Sequence, residues 1–343
     1  MPDTVWDLNH LWFALLGVLL TGYAMLDGFD LGVGILHLFA RSDHDRRILM
    51  NSIGPIWDGN EVWLVTFGGA MFAAFPHAYA TVFSGFYLAF MLLLFALIFR
   101  AVALEFRSKR ESPRWRGFFD ACFFGSSALA TLLFGVATGN AIQGLKVDAT
   151  MDYAGSFFDL LGPYPILVGL FAVSLFAMHG SIYLYLKTEG ELQQRIHGWM
   201  WRTFFVFLTL FVVTSVVSIV AIPSATYNFR HYPWAWAVVV LNVLAIANIP
   251  RAIHRRRPGY AFFSSCCSIA ALVFLFGAAL YPNLVVSSLD PAYNLTLYTA
   301  ASSPRTLTIM AIMAAIGMPF VLAYTTVVYR VFRGKVKLEQ ASY

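Results

Sequence analysis

The sequence predicts an all-α polytopic membrane protein with about nine transmembrane helices, its N-terminus outside and its C-terminus in the cytoplasm. Three observations predict it. Of the 343 residues, 59% are hydrophobic and only 12% charged, whereas charged residues make up about a quarter of a soluble domain. Apolar runs of about 20 residues, long enough to cross a bilayer as a helix, recur throughout and leave no stretch for a separate soluble domain. The basic residues fall into alternate loops. Residues 1–343 therefore form a single transmembrane helical bundle, with 334–343 as a short cytoplasmic tail.

Apolar runs bounded by polar residues, Pro or Gly place the spans at about 10–38, 52–74, 78–104, 117–142, 160–187, 199–222, 233–253, 259–281 and 305–333. They must be helical. Lipid cannot satisfy free backbone groups, and the segments lack the alternation of about ten residues that marks barrel strands. The N-terminus carries acid and no base before an apolar run too long for a signal-peptide core, so the first segment is expected to remain as a span.

Topology follows from charge. Of the 23 Lys and Arg, 19 lie in one set of alternate loops: Arg41, Arg46 and Arg47; the cluster from Arg107 to Arg116; Lys187, Arg195 and Arg202; Arg251 and Arg255 to Arg257; and the four from Arg330 to Lys337. The other set holds only Lys146, Arg230 and Arg305, and Arg100 lies within a span. This split puts the N-terminus outside and requires an odd number of spans. Trp6, Trp12, Trp199, Trp201, Trp234 and Trp236 fall near span ends, as interfacial aromatics do. Once the basic residues are placed in loops, the net charge of +5 marks topology and not a nucleic-acid partner. Cys122, Cys266 and Cys267 sit in apolar segments and read as small buried hydrophobes, since adjacent cysteines rarely form an unstrained disulfide. The loops at about 143–159 and 282–304 are Asp/Asn/Ser/Thr-rich and suited to capping a partner.

Asp27, Asp30, Asp58 and Glu61 are the chemistry-bearing residues, because an ionisable group at membrane depth costs at least ~2.5–3.5 kcal/mol. Asp27 and Asp30, and Asp58 and Glu61, are spaced three apart, so each pair projects from one face of its helix. A simple hairpin centred on His44 sets Asp30 level with Asp58 and Asp27 level with Glu61, roughly 10–12 Å from the cytoplasmic surface for the inner acids at about 1.5 Å per residue. Arg100 lies in the same half. Two readings stand: a row of proton-exchanging carboxyls forming an uptake path from the cytoplasm, or Asp58 and Asn60 capping a broken helix while Asp30 pairs with Arg100. Arg100 also has the length to snorkel to the inner surface. The glycines at 22, 28, 32, 34, 54, 59, 68 and 69 read as close helix packing. His179, in mid-span, is either a haem ligand, which would need a second ligand or open site on another helix, or a hydrogen-bonded packing histidine.

Several motifs carry a resemblance. Gly28-Phe29-Asp30-Leu31-Gly32-Val33-Gly34 is followed by Arg46-Arg47 and by Asn51-Ser52-Ile53-Gly54-Pro55-Ile56-Trp57-Asp58-Gly59-Asn60-Glu61-Val62-Trp63-Leu64. Gly68-Gly69-Ala70-Met71-Phe72-Ala73-Ala74-Phe75-Pro76, Phe99-Arg100, Arg107-Ser108-Lys109, Gly139-Asn140 and Tyr281-Pro282 come after. Together they resemble subunit II of cytochrome bd-type quinol oxidases, over about residues 10–335 and most strongly in the first 145. The resemblance implies a nine-helix, multi-pass subunit of a bacterial-type inner membrane that pairs with a similarly folded subunit I. In that family subunit I carries two b-type haems and one d-type haem, together with the quinol site. Subunit II ligates no haem, supports assembly and contributes to a proton path from the cytoplasm. Asp58 matches the motif acid of that path, Asp30 and Arg100 fall on matching positions, Trp57 lies beside Asp58, and Glu61 stands where the family also accepts an amide. A structural quinone or lipid in this chain and small accessory subunits are further features of the family.

A proton-coupled transporter using the same acids is the alternative from another class. It predicts inverted repeats with discontinuous helices in both halves, whereas the acids cluster in the first 61 residues. A passive structural partner is a third reading, against which stands the cost of four buried acids.

Overall fold

The computed structural model describes residues 7–338. Trp6 and the end of the predicted tail lie outside them. Twelve α-helices are present among the described residues: α1 (Leu8–Leu36), α2 (Asp43–Ile53), α3 (Trp57–Ala74), α4 (Pro76–Gly85), α5 (Tyr87–Phe106), α6 (Pro113–Gln143), α7 (Pro163–Lys187), α8 (Gly190–Ala221), α9 (Pro223–His231), α10 (Ala235–His254), α11 (Pro258–Leu280) and α12 (Pro304–Val331). Eight of them are long and apolar enough to cross a membrane. The predicted span at 52–74 corresponds to the end of α2 and to α3, whose 18 residues include Asp58 and Glu61.

Helix α7 is central and α12 peripheral: 72% of the most apolar window of α7 is buried, against 6% in α12. Helix α1 packs on α7, α3, α6 and α11, and α7 also packs on α6 and α8. The approach of α1 to α7 depends on two glycines. A Cβ on Gly32 would lie 1.9 Å from the Phe176 carbonyl oxygen, and one on Gly180 would lie 2.5 Å from the carbonyl carbon of Gly32. The expected packing role also holds at Gly22, Gly28 and Gly34, whose added Cβ would meet Trp63, Phe176 and Ser127. It does not hold at Gly59, Gly68 and Gly69, which face open space.

Three expectations are corrected. Residues 41–47 are not a simple turn: Ser42 and Asp45 form a capping box that starts α2, so a short helix and a Gly54–Ile56 break separate α1 from α3. The predicted span at 78–104 is interrupted, with α4 and α5 meeting at Phe86 (φ −93°, ψ 15°). The cysteines are free thiols and only partly buried.

The two long loops pack together at the end that charge assigns to the outside. Strands β1 (Asn283–Val285) and β2 (Leu295–Thr296) pair antiparallel, and Leu145 exchanges backbone hydrogen bonds with Val286 and Ser288. Leu145, Val147, Leu160, Val285 and Leu295 bury their side chains in one apolar cluster. The two loops form one cap.

Candidate functional site

Arg100 comes from α5 and is 1% exposed. Its Nη2 lies 2.7 Å from Asp27 Oδ1 and 3.2 Å from Glu61 Oε2. Helices α1, α3 and α5 thus bring one cation and two carboxylates together, and the pairing offsets part of the cost of burying these charges. Asp27 is fully buried, whereas the Glu61 side chain keeps 20% of its accessible surface.

Asp30 is buried beside them but does not pair with Arg100, contrary to one of the two readings of that residue. Asn60 Nδ2 donates to Asp30 Oδ2 at 2.7 Å and to the Leu26 carbonyl at 3.4 Å, while Tyr329 Oη donates to Asn60 Oδ1 at 2.8 Å. The antiparallel packing of α1 and α3 expected from the sequence is present: Asn60 meets Leu26 and Asp30, and Trp63 covers Gly22. The expected facing of Asp58 toward Asp30 is not. Asp58 lies on the exposed face of α3 with Gly59, Val62, Val65 and Phe72 and has no hydrogen bond or ion pair among the described residues. The break at Gly54–Ile56 sets the rotation of α3, so Asn60 turns inward where the simple hairpin placed Asp58. Trp57 is partly buried and packs against the core formed by α1, α2 and α7.

A second ionic cluster closes the end that charge assigns to the cytoplasm. Asp120 of α6 accepts from His37 Nε2 at 2.6 Å, Arg107 Nε at 2.5 Å and Arg46 Nη1 at 2.7 Å. Arg107 and Arg116 both reach Asp43. Arg195 of α8 pairs with Asp45 at 2.8 Å. Burial alone would raise the Asp45 carboxyl, but hydrogen bonds from Arg195 and Ser42 outweigh it and hold the group below its usual range. The sequence reading missed Asp120, although it falls inside the predicted span at 117–142 and the same membrane-cost argument applies to it. It also missed Asn60 and Tyr329 as partners of Asp30.

His179 is a packing histidine. Its Nε2 donates to the Met25 carbonyl at 3.0 Å, its Nδ1 pairs with the Ser265 hydroxyl at 2.7 Å, and its ring stacks on Phe262 at 4.9 Å. Both ring nitrogens are engaged within the chain.

Residues 8–332 match the family described as cytochrome bd terminal oxidase subunit II. The chain belongs to that family. It is 36% identical over 363 residues to the cytochrome bd-I ubiquinol oxidase subunit 2 of Escherichia coli (strain K12), covering 97% of this chain and 96% of that one. It is 35% identical over 334 residues to the cytochrome bd ubiquinol oxidase subunit 2 of Bacillus subtilis (strain 168), covering 96% and 97% of the two. The structure of bd oxidase from Geobacillus thermodenitrificans shares the fold, with a TM-score of 0.77 over 95% of this chain and 98% of that chain at 18% identity.

The chain is accordingly a subunit of a cytochrome bd-type terminal oxidase, an oxidoreductase complex of the bacterial inner membrane with a subunit I partner and haem cofactors. Mid-span His179 does not fit a haem ligand. The mid-span histidine has both nitrogens engaged, and no group of three or more His, Cys, Asp or Glu is placed to hold a metal ion among the described residues.

Proposed function

We propose that this chain is the non-haem subunit of a quinol oxidase that reduces oxygen to water, and that it supplies a proton uptake path from the cytoplasm while supporting assembly of subunit I. Subunit I then holds two b-type haems and a d-type haem and takes the electrons from quinol. This chain crosses the membrane nine times, N-terminus outside, with α3 as the ninth span. A structural quinone or lipid and small accessory subunits belong to the same reading.

One observation carries the proton path. Asp58 stands on an exposed helix face, one turn before Glu61, which reaches buried Arg100. A carboxylate on a lipid-facing surface is costly, so this position favours a neighbouring chain that covers Asp58 and receives its proton. Asp27, Asp30 and Glu61 form the inner part of the route, with Arg100 paired to Asp27 and Glu61. The same cost argues against a passive structural role.

The test is Asp58→Asn in the intact complex. The complex assembles with its normal haem content, and oxygen consumption falls severely. Turnover at the wild-type rate removes Asp58 from the mechanism.

A further inference from the structure

Helix α12 gives the rest of the chain little surface. Only Leu307 is buried along it, and in its inner half Met318, Thr325, Val328 and Tyr329 are the partly covered positions. From that half Tyr329 nevertheless reaches Asn60, which is 2% exposed, and through it Asp30, which is fully buried.

A carboxamide has a donor end and an acceptor end, and it can be turned over. The surroundings of Asn60 choose between the two. The Leu26 carbonyl only accepts and so calls for the NH2 group, which also reaches Asp30 Oδ2. Tyr329 Oη is the hydroxyl that serves the amide oxygen. Turned over, Asn60 would set its oxygen against two other oxygens. With the NH2 held on Asp30 Oδ2, the other carboxylate oxygen, Oδ1, has no hydrogen-bond partner among the described residues. The titratable and charged groups around Asp30 are Asp27 on its own helix, Glu61 on α3, Arg100 on α5, Tyr183 on α7 and Tyr329 on α12.

We infer that Tyr329 is a positioning residue for Asp30: by fixing the Asn60 amide it holds Oδ2 and leaves Oδ1 as the oxygen that exchanges a proton. The last helix thereby sets the geometry of an acid on the first helix, 299 positions away in sequence (329 against 30). The inference rests on the reading of Asp30 as part of the proton path.

The experiment uses the intact oxidase complex. Tyr329→Phe removes one hydroxyl and keeps the ring, so the complex is expected to assemble with unchanged haem absorbance per protein. The infrared band assigned to Asp30 by its loss in Asp30→Asn shifts. Oxygen consumption falls about two- to tenfold, the effect of losing one hydrogen bond, and its pH profile moves. Asn60→Ala has the same consequences, and adding Tyr329→Phe to it changes nothing further, because the two act through one amide. An unmoved Asp30 band, or effects of the two substitutions that add, overturns the inference. If Asp30→Asn consumes oxygen at the wild-type rate, the role of Asp30 in the path falls instead, and the Asp30 band in Tyr329→Phe still decides the positioning.

Discussion

Arg100 and Asp27 form an ion pair 2.7 Å long in which neither side chain has more than 1% of its surface exposed. Removing one member of a buried pair leaves the other uncompensated, at a cost of about 3–5 kcal/mol. Asp27→Asn should therefore lower the melting temperature of the purified complex sharply. Glu61 contacts the same guanidinium nitrogen at 3.2 Å from a side chain that is 20% accessible. Glu61→Gln leaves the shorter Asp27 pair on the guanidinium, so it should lower the melting temperature less than Asp27→Asn does. Equal losses from the two variants would show that burial does not rank these pairs.

The glycines separate into two groups that thermal denaturation can distinguish. Gly32→Ala brings a methyl 1.9 Å from the backbone oxygen of Phe176, and a backbone atom cannot swing aside as a flexible side-chain end can. Overpacking of this kind costs about 1–3 kcal/mol or more, and Gly32→Ala should reduce the yield of folded complex. Gly68→Ala meets nothing within 4 Å and should leave the fold of this chain intact, since alanine is the better helix former by about 0.5–1 kcal/mol.

The contrast between these glycines marks where the sequence was legible. Spacing and composition gave the helical bundle, the antiparallel packing of α1 on α3, and Asp27, Asp30, Glu61 and Arg100 in one half of the bundle. They could not give the rotation of α3, because the Gly54–Ile56 break resets the helical phase and no periodicity carries across it. Asp58 was therefore placed inward and Asn60 left in a capping role. Tyr329 was invisible for another reason: its contact with Asn60 spans 269 positions, and nothing local to residue 329 distinguishes it from an interfacial tyrosine. Asp120 was legible and overlooked, since it lies only four positions into its predicted span and resembles a loop acid.

On the outer cap, Asp159 accepts from the Ser156 backbone amide at 2.7 Å and from Lys146 Nζ at 2.9 Å. These two hydrogen bonds hold its carboxyl down at about 2. An unfolded aspartate titrates near 3.9, so the folded group binds its proton less readily. Its contribution is complete above that value and is lost as the pH falls through about 2. Hydrogen exchange at the Ser156 amide in the intact complex should stay protected until that window. In Asp159→Asn the protection should be weaker and free of this pH dependence, and protection lost already at mildly acidic pH in the wild type would contradict the assignment.

Asp120 should be the most sensitive residue of the inner ionic cluster. It is 1% exposed and accepts from His37, Arg46 and Arg107 together, and Arg107 is itself 1% exposed. Asp120→Asn keeps the shape but removes the charge that balances buried Arg107, so the expected loss is about 3–5 kcal/mol. Asp43 also touches Arg107, at 2.8 Å, but its side chain is 43% accessible. Water already solvates that carboxylate, and Asp43→Asn should cost no more than about 1 kcal/mol. The helix ends give the comparison a second reading: Asp120 ties α6 to the α1 end through His37 and to α2 through Arg46, whereas Asp43 sits at the first position of α2, next to the Ser42 cap. Limited proteolysis of the 37–47 segment in the assembled complex should therefore accelerate in Asp120→Asn and remain near the wild-type rate in Asp43→Asn. Matched acceleration in the two variants would place the strength of this cluster in the exposed pair instead of the buried carboxylate.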